Sequence, residues 1–82
     1  MKTIEEALNY IKEKELTLMC SPLDAGYLYK INSRYYSLNT IGTSTESIVE
    51  AANNFIENLL EEIRMTKELN TKHLDQMEKL LP

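Results

Sequence analysis

Gly42-Thr-Ser-Thr-Glu46-Ser-Ile-Val-Glu50-Ala-Ala-Asn-Asn-Phe55-Ile-Glu57-Asn-Leu-Leu-Glu61-Glu-Ile63 is the stretch that decides the fold. Ile48, Val49, Ala52, Phe55, Ile56, Leu59, Leu60 and Ile63 recur at helical spacing and form a broad apolar stripe. Such a stripe has to be buried against other elements. Thr43 and Glu46 stand three apart and read as a capping box that opens the helix. The side away from the stripe is acidic. Glu46, Glu50, Glu57 and Glu61 follow at spacings of four, seven and four, and Glu68 adds another seven. On a continuous helix they share one side over about 33 Å. From Tyr35 to Ile63 there is no Lys, Arg or His to oppose them. Like charges four apart cost a few tenths of a kcal/mol per pair. Two readings of the row stand: a surface that keeps a small domain soluble, or one that complements a basic groove and imitates nucleic-acid phosphates. The second would steer association and weaken with salt.

Upstream, Leu16–Cys20, Tyr27–Ile31 and Tyr35–Asn39 are rich in strand formers, and Ser21–Gly26 is loop chemistry. A two-residue turn at Asn32-Ser33 pairs Ile31 with Arg34, Tyr29 with Tyr36 and Tyr27 with Leu38. That register gathers Tyr27, Tyr29, Ile31, Tyr36 and Leu38 on one buried face. The other face shows Leu28, Lys30, Tyr35 and Ser37. Tyr35 is then either an interface anchor or a cover for the Lys30 stem. At the start of the chain, Thr3 and Glu6 form a second capping box, and Ile4, Ala7, Leu8 and Ile11 give a helix over 4–14.

Downstream, polar residues dominate 64–72, and Leu74, Met77 and Leu81 return near the helical phase. A continuous helix would leave these last apolar turns uncovered and imply a homodimer through the C-terminal helix. A break near Asn70-Thr71 lets a short helix fold back, and it is the reading taken. The expectation is a single α+β domain over 1–82. It has the order α-β-β-β-α plus a C-terminal helix, with a three-stranded antiparallel sheet covered by helices on one face. Residues 1–63 form the core unit and 64–82 an extension.

Eighty-two residues suffice for one small core. The net charge of −4 argues against nucleic acid or an anionic membrane as a direct ligand, since either would need Lys and Arg to neutralise phosphates. One cysteine, Cys20, excludes an internal disulfide and fits a reducing compartment. The early charges leave no apolar leader, so the expected location is cytoplasmic. No catalytic signature appears, and none is expected. His73, the single histidine, has no partner residues for a triad or a metal site, and Cys20 reads as a small strand residue facing the core. Glu5-Glu6 and Glu61-Glu62 diverge on a helix and cannot converge on one bond. No cofactor or metal is expected.

Two families resemble parts of the chain. The stretch from Ile4 to Ser21 resembles the first helix and strand of the small acidic type II-A anti-CRISPR inhibitors of Listeria prophages, through Ile4, Ile11, Lys12, Lys14, Thr17 and Ser21. Tyr29–Ser33 and Arg34–Leu38 are similar to that family's hairpin. Glu46-Ser-Ile-Val-Glu50 is similar to its second helix start. The resemblance spans roughly the first two-thirds of the chain. It implies a non-catalytic DNA mimic whose carboxylates occupy the arginines that read the protospacer-adjacent motif. Of the family's contact acids, one carries over, onto Glu15. The others fall at Asn32-Ser33-Arg34 and near Thr66 and Lys67. Partner binding would therefore fall to Glu15, Glu46, Glu50, Glu57 and Glu61, with Tyr35 as anchor. The partner would be a host CRISPR effector nuclease. Asp24-Ala-Gly-Tyr-Leu-Tyr and Gly42-Thr-Ser-Thr-Glu-Ser-Ile-Val-Glu-Ala-Ala-Asn also resemble the strand and helix starts of HicB-type antitoxins. That implies a protein that silences a basic RNase. The element order is shared with double-stranded-RNA-binding domains, but the lysine cluster that grips phosphates is replaced by acids.

Overall fold

The computed structural model describes residues 1–33, 40–69 and 74–82, with the side chains of 66–69 left out. The expected strand Tyr35–Asn39, Tyr35 itself, the pairings to Arg34, Tyr36 and Leu38, the Glu68 side chain, the Asn70-Thr71 break and His73 lie outside the described residues. The elements are α1 (Ile4–Glu13), β1 (Leu16–Leu23), β2 (Gly26–Ser33), β3 (Ile41–Ser44), α2 (Ile48–Leu69) and α3 (Leu74–Glu78). The fold is α+β, with an antiparallel sheet in the order β1-β2-β3.

Thr3 caps α1 as its spacing requires, its hydroxyl accepting from the Glu6 amide at 3.1 Å. The Glu6 carboxylate answers the Thr3 hydroxyl itself, also at 3.1 Å. The buried face of α1 is Ala7, Tyr10 and Ile11. It is rotated from the expected one, since Ile4 and Leu8 stay exposed. Tyr10 drives the rotation: its ring is buried and its hydroxyl donates to the Leu80 carbonyl. α1 ends on Glu15, which takes the left-handed conformation with φ of 55°. There the Lys14 and Glu15 amides close on Tyr10 and Lys12 carbonyls.

The expected loop Ser21–Gly26 is mostly strand. β1 runs to Leu23, and the turn is the two-residue Asp24-Ala25 between Leu23 and Gly26. Pro22 does not break β1, because an edge strand tolerates a missing donor. Gly26 has φ of +111°, a region open to glycine and strained for other residues. The described pairings of β2 run to β1 and β3. Tyr29 lies between Cys20 of β1 and Ser44 of β3, and Ile31 between Leu18 and Gly42. Both sides of Tyr29 are thus paired, one with β1 and one with β3. The alternation itself holds: Ile31 is buried and Tyr29 packs against the core. Tyr27 and Cys20 share that side yet are exposed, because they lie toward the hairpin tip. Cys20 is therefore not the core residue expected of it.

The expected cap at Thr43–Glu46 is a strand end instead. Ser44 lies in β3, and its hydroxyl accepts from the amides of Glu46 at 3.0 Å and Ser47 at 3.4 Å. Ser47 is the true cap of α2, accepting from the Glu50 amide at 3.0 Å. α2 buries Ala51, Ala52, Phe55, Leu59 and Ile63 and leaves Leu60 exposed. It packs chiefly on β3. Met77 and Leu80 join this same core. Leu74 and Leu81 pack against it, partly buried.

Burial pushes the Tyr10 phenol above its ordinary value of 10.0. The folded state holds the neutral phenol, so its stabilisation is whole below the unfolded value and is lost as pH rises past it. Tyr10→Phe is expected to cost about 1 kcal/mol at neutral pH. It should also flatten the alkaline loss of stability above pH about 10, read by urea titration at a series of pH values. Equal alkaline slopes in the two proteins would show that Tyr10 is not the titrating group.

Candidate functional site

At about 100° per residue, Glu50, Glu57 and Glu61 fall within roughly 40° of one another on α2, diametrically opposite the buried stripe. All three are exposed. Glu46 sits in the turn before α2 and not on it, so the row is shorter than the sequence suggested. It nevertheless meets Glu50. A hydrogen bond that the protonated Glu50 carboxyl donates to Glu46, and then the like charge of Glu46, hold Glu50 above the ordinary range. Two carboxyls in contact share a proton more readily than one alone.

Glu61 departs from expectation. Arg64, one turn on, donates to it through two nitrogens, one at 3.3 Å. This guanidinium holds the Glu61 carboxyl below the usual range. Its charge is matched by its own helix and is not open to a partner. Glu50 and Glu57 face no cation among the described residues. The open acidic unit is therefore Glu46, Glu50 and Glu57. Glu15 lies on a different element, the α1–β1 turn. As a non-glycine residue in the left-handed region it carries strain. Glu15→Gly should raise stability by about 1 kcal/mol in thermal or urea unfolding. No gain would mean that the local backbone relaxes.

Residues given no part in binding by the sequence frame this face. Leu60 is 50% exposed and Met65 46% exposed. At about 100° per residue they flank the acids on opposite sides. Asn54 donates to the Thr43 carbonyl at 2.9 Å and Asn58 to the Ile41 carbonyl at 2.7 Å, so α2 is stitched to the edge strand β3. Asn53 bonds both backbone ends of Met1, at 2.9 and 3.1 Å. The sequence signal was available: three asparagines inside a helix are poor helix formers and need another reason to be there.

A cleft of about 300 Å³ lies between α1 and the last residues, lined by Met1, Glu6, Asn9, Tyr10, Glu13, Lys14 and Pro82. The Tyr10 hydroxyl within it is already spent on Leu80. Among the described residues, no group of three His, Cys, Asp or Glu side chains could hold a metal ion. Likewise, no described helix is long and apolar enough to cross a membrane. No family profile, curated protein or solved structure matches this chain.

Proposed function

We propose that this chain is a phage-encoded, non-catalytic inhibitor that acts in the host cytoplasm. The outer face of α2 enters a basic nucleic-acid-binding groove of a CRISPR effector nuclease, with Glu46, Glu50 and Glu57 standing where phosphates would lie. One observation carries this reading: Glu50 and Glu57 project from the side of α2 opposite its core contacts and meet no cation among the described residues. The resemblance of 4–21 and 46–50 to type II-A inhibitors supplies the partner class. Glu15, on its own turn, is a secondary contact. A second reading, an antitoxin that covers a basic RNase, draws on the turn Asp24-Ala25 that leads into β2 at Gly26, where a HicB-type strand would start.

The test mixes the purified chain with type II-A effector loaded with guide RNA and follows both binding and DNA cleavage. Inhibition should be stoichiometric. Affinity should fall as salt rises, because the screening length shrinks from about 10 Å at 0.1 M to about 3 Å at 1 M. Absence of inhibition together with salt-insensitive binding overturns the reading. Capture of a small basic RNase by the tagged chain instead selects the antitoxin.

A further inference from the structure

The two edges of the sheet are treated differently. β3 is an edge strand, but Asn54 and Asn58 occupy the carbonyls of Thr43 and Ile41. β1 is the other edge, eight residues long. Among the described residues nothing pairs with its outer side. Proteins blunt such edges with lysine, proline or a bulge. β1, Leu-Thr-Leu-Met-Cys-Ser-Pro-Leu, has no charged residue, and its one proline, Pro22, lies near the tip. Its distal half, Met19–Leu23, is exposed.

Apolar surface gathers on the same flank. Met19 is 48% and Leu23 47% exposed, and they share the sheet face opposite the buried Ile31, which no helix covers among the described residues. On α1, Glu6, Asn9 and Glu13 face the cleft beside Met1 and Pro82. Ile4 and Leu8 are 56% and 44% exposed. At about 100° per residue they fall on the opposite flank of α1, away from that cleft.

We infer that the outer edge of β1 pairs antiparallel with β1 of a second copy, giving a continuous six-stranded sheet with a twofold axis at Met19, which then faces its own counterpart. A twofold perpendicular to the sheet pairs residues of like parity, so both helical layers stay on one face. Ile4 and Leu8 of each copy then face the partner's α1 across the axis. Charge favours a second copy over an oppositely charged partner, because the edge is neutral and complements itself. The acidic faces do not oppose the pairing. α2 packs on β3, and β3 lies five strand spacings from its counterpart, roughly 24 Å. That exceeds the screening length of about 8 Å at physiological salt.

This inference is independent of the acidic face. The test is light scattering of the full chain over a wide concentration range, with hydrogen exchange on β1. The expected result is a species of twice the 9.5 kDa chain mass, with β1 amides better protected as concentration rises. Met19→Lys with Leu8→Lys places like charges across the axis. It should raise the dimer dissociation constant roughly tenfold or more with circular dichroism unchanged. A chain that stays monomeric throughout overturns the inference. So does a dimer that the double variant leaves intact.

Discussion

Gly42→Ala is expected to destabilise the protein by at least about 3 kcal/mol, at the upper end of overpacking costs. A methyl group at Gly42 would stand 2.3 Å from the Phe55 nitrogen, 2.4 Å from the Ala51 carbonyl oxygen and 2.5 Å from the Phe55 Cβ. Two of these are backbone atoms of α2, which no side-chain rotation can move. The helix would have to lift off β3. Lifting it would disturb Phe55, Ala51 and Leu59, all fully buried, and lengthen the bonds from Asn54 and Asn58. A domain of this size has about 4–12 kcal/mol of total stability, so the loss is a large share of it. The melting temperature should fall by roughly 12–24 °C. A variant that melts within a few degrees of the wild type would mean that α2 does not rest on β3 at this point.

The same glycine shows where the sequence misleads. Gly42 precedes a Ser/Thr-rich run and looks like punctuation before a helix, yet its role is to let two backbones touch. Capping chemistry occurs twice in succession, at Thr43–Glu46 and at Ser47–Glu50, and local rules cannot choose between them. The choice is made by β3 pairing with β2, a long-range event with no local signature. Pro22 misleads in the same way, because a proline reads as a loop until its strand is known to be an edge. What was legible was periodicity. The buried stripe of α2, the cap of α1, the parity of Tyr29 and Ile31, and the return of apolar residues at Met77 all follow from spacing. Spacing also placed Glu50, Glu57 and Glu61 on one side. It failed for Glu46, whose helix begins two residues later. It failed for Glu61 because the cation-free window ends at Ile63, one residue before Arg64. The missed rotation of α1 has a different cause: Tyr10 is buried for its hydrogen bond to Leu80, a residue 70 positions away.

Glu50→Lys combined with Glu57→Lys should weaken binding to a basic partner by roughly 100-fold or more. Double-mutant cycles give about 1.5–7 kcal/mol for close interfacial charge pairs, and each 1.4 kcal/mol is tenfold. The fold should tolerate the change. Both side chains are exposed, and Lys at position 50 exchanges a like-charge contact with Glu46 for an opposite-charge one. Against that gain, a cation near the α2 N-terminus opposes the helix dipole by about 0.3–1 kcal/mol, so the stability change should stay small. Glu61→Gln is the internal control. Its charge is already matched by Arg64, so its loss should alter affinity far less. Acid gives a third axis. Glu50 is held above the ordinary carboxylate range by Glu46. As pH falls it therefore protonates early, and affinity should begin to drop before an ordinary glutamate titrates. Glu46→Gln removes the like charge and should move that onset to lower pH. Binding that ignores the double reversal, with the fold intact by circular dichroism, would reduce the acidic face of α2 to a solvated surface and the inhibitor reading would fall with it.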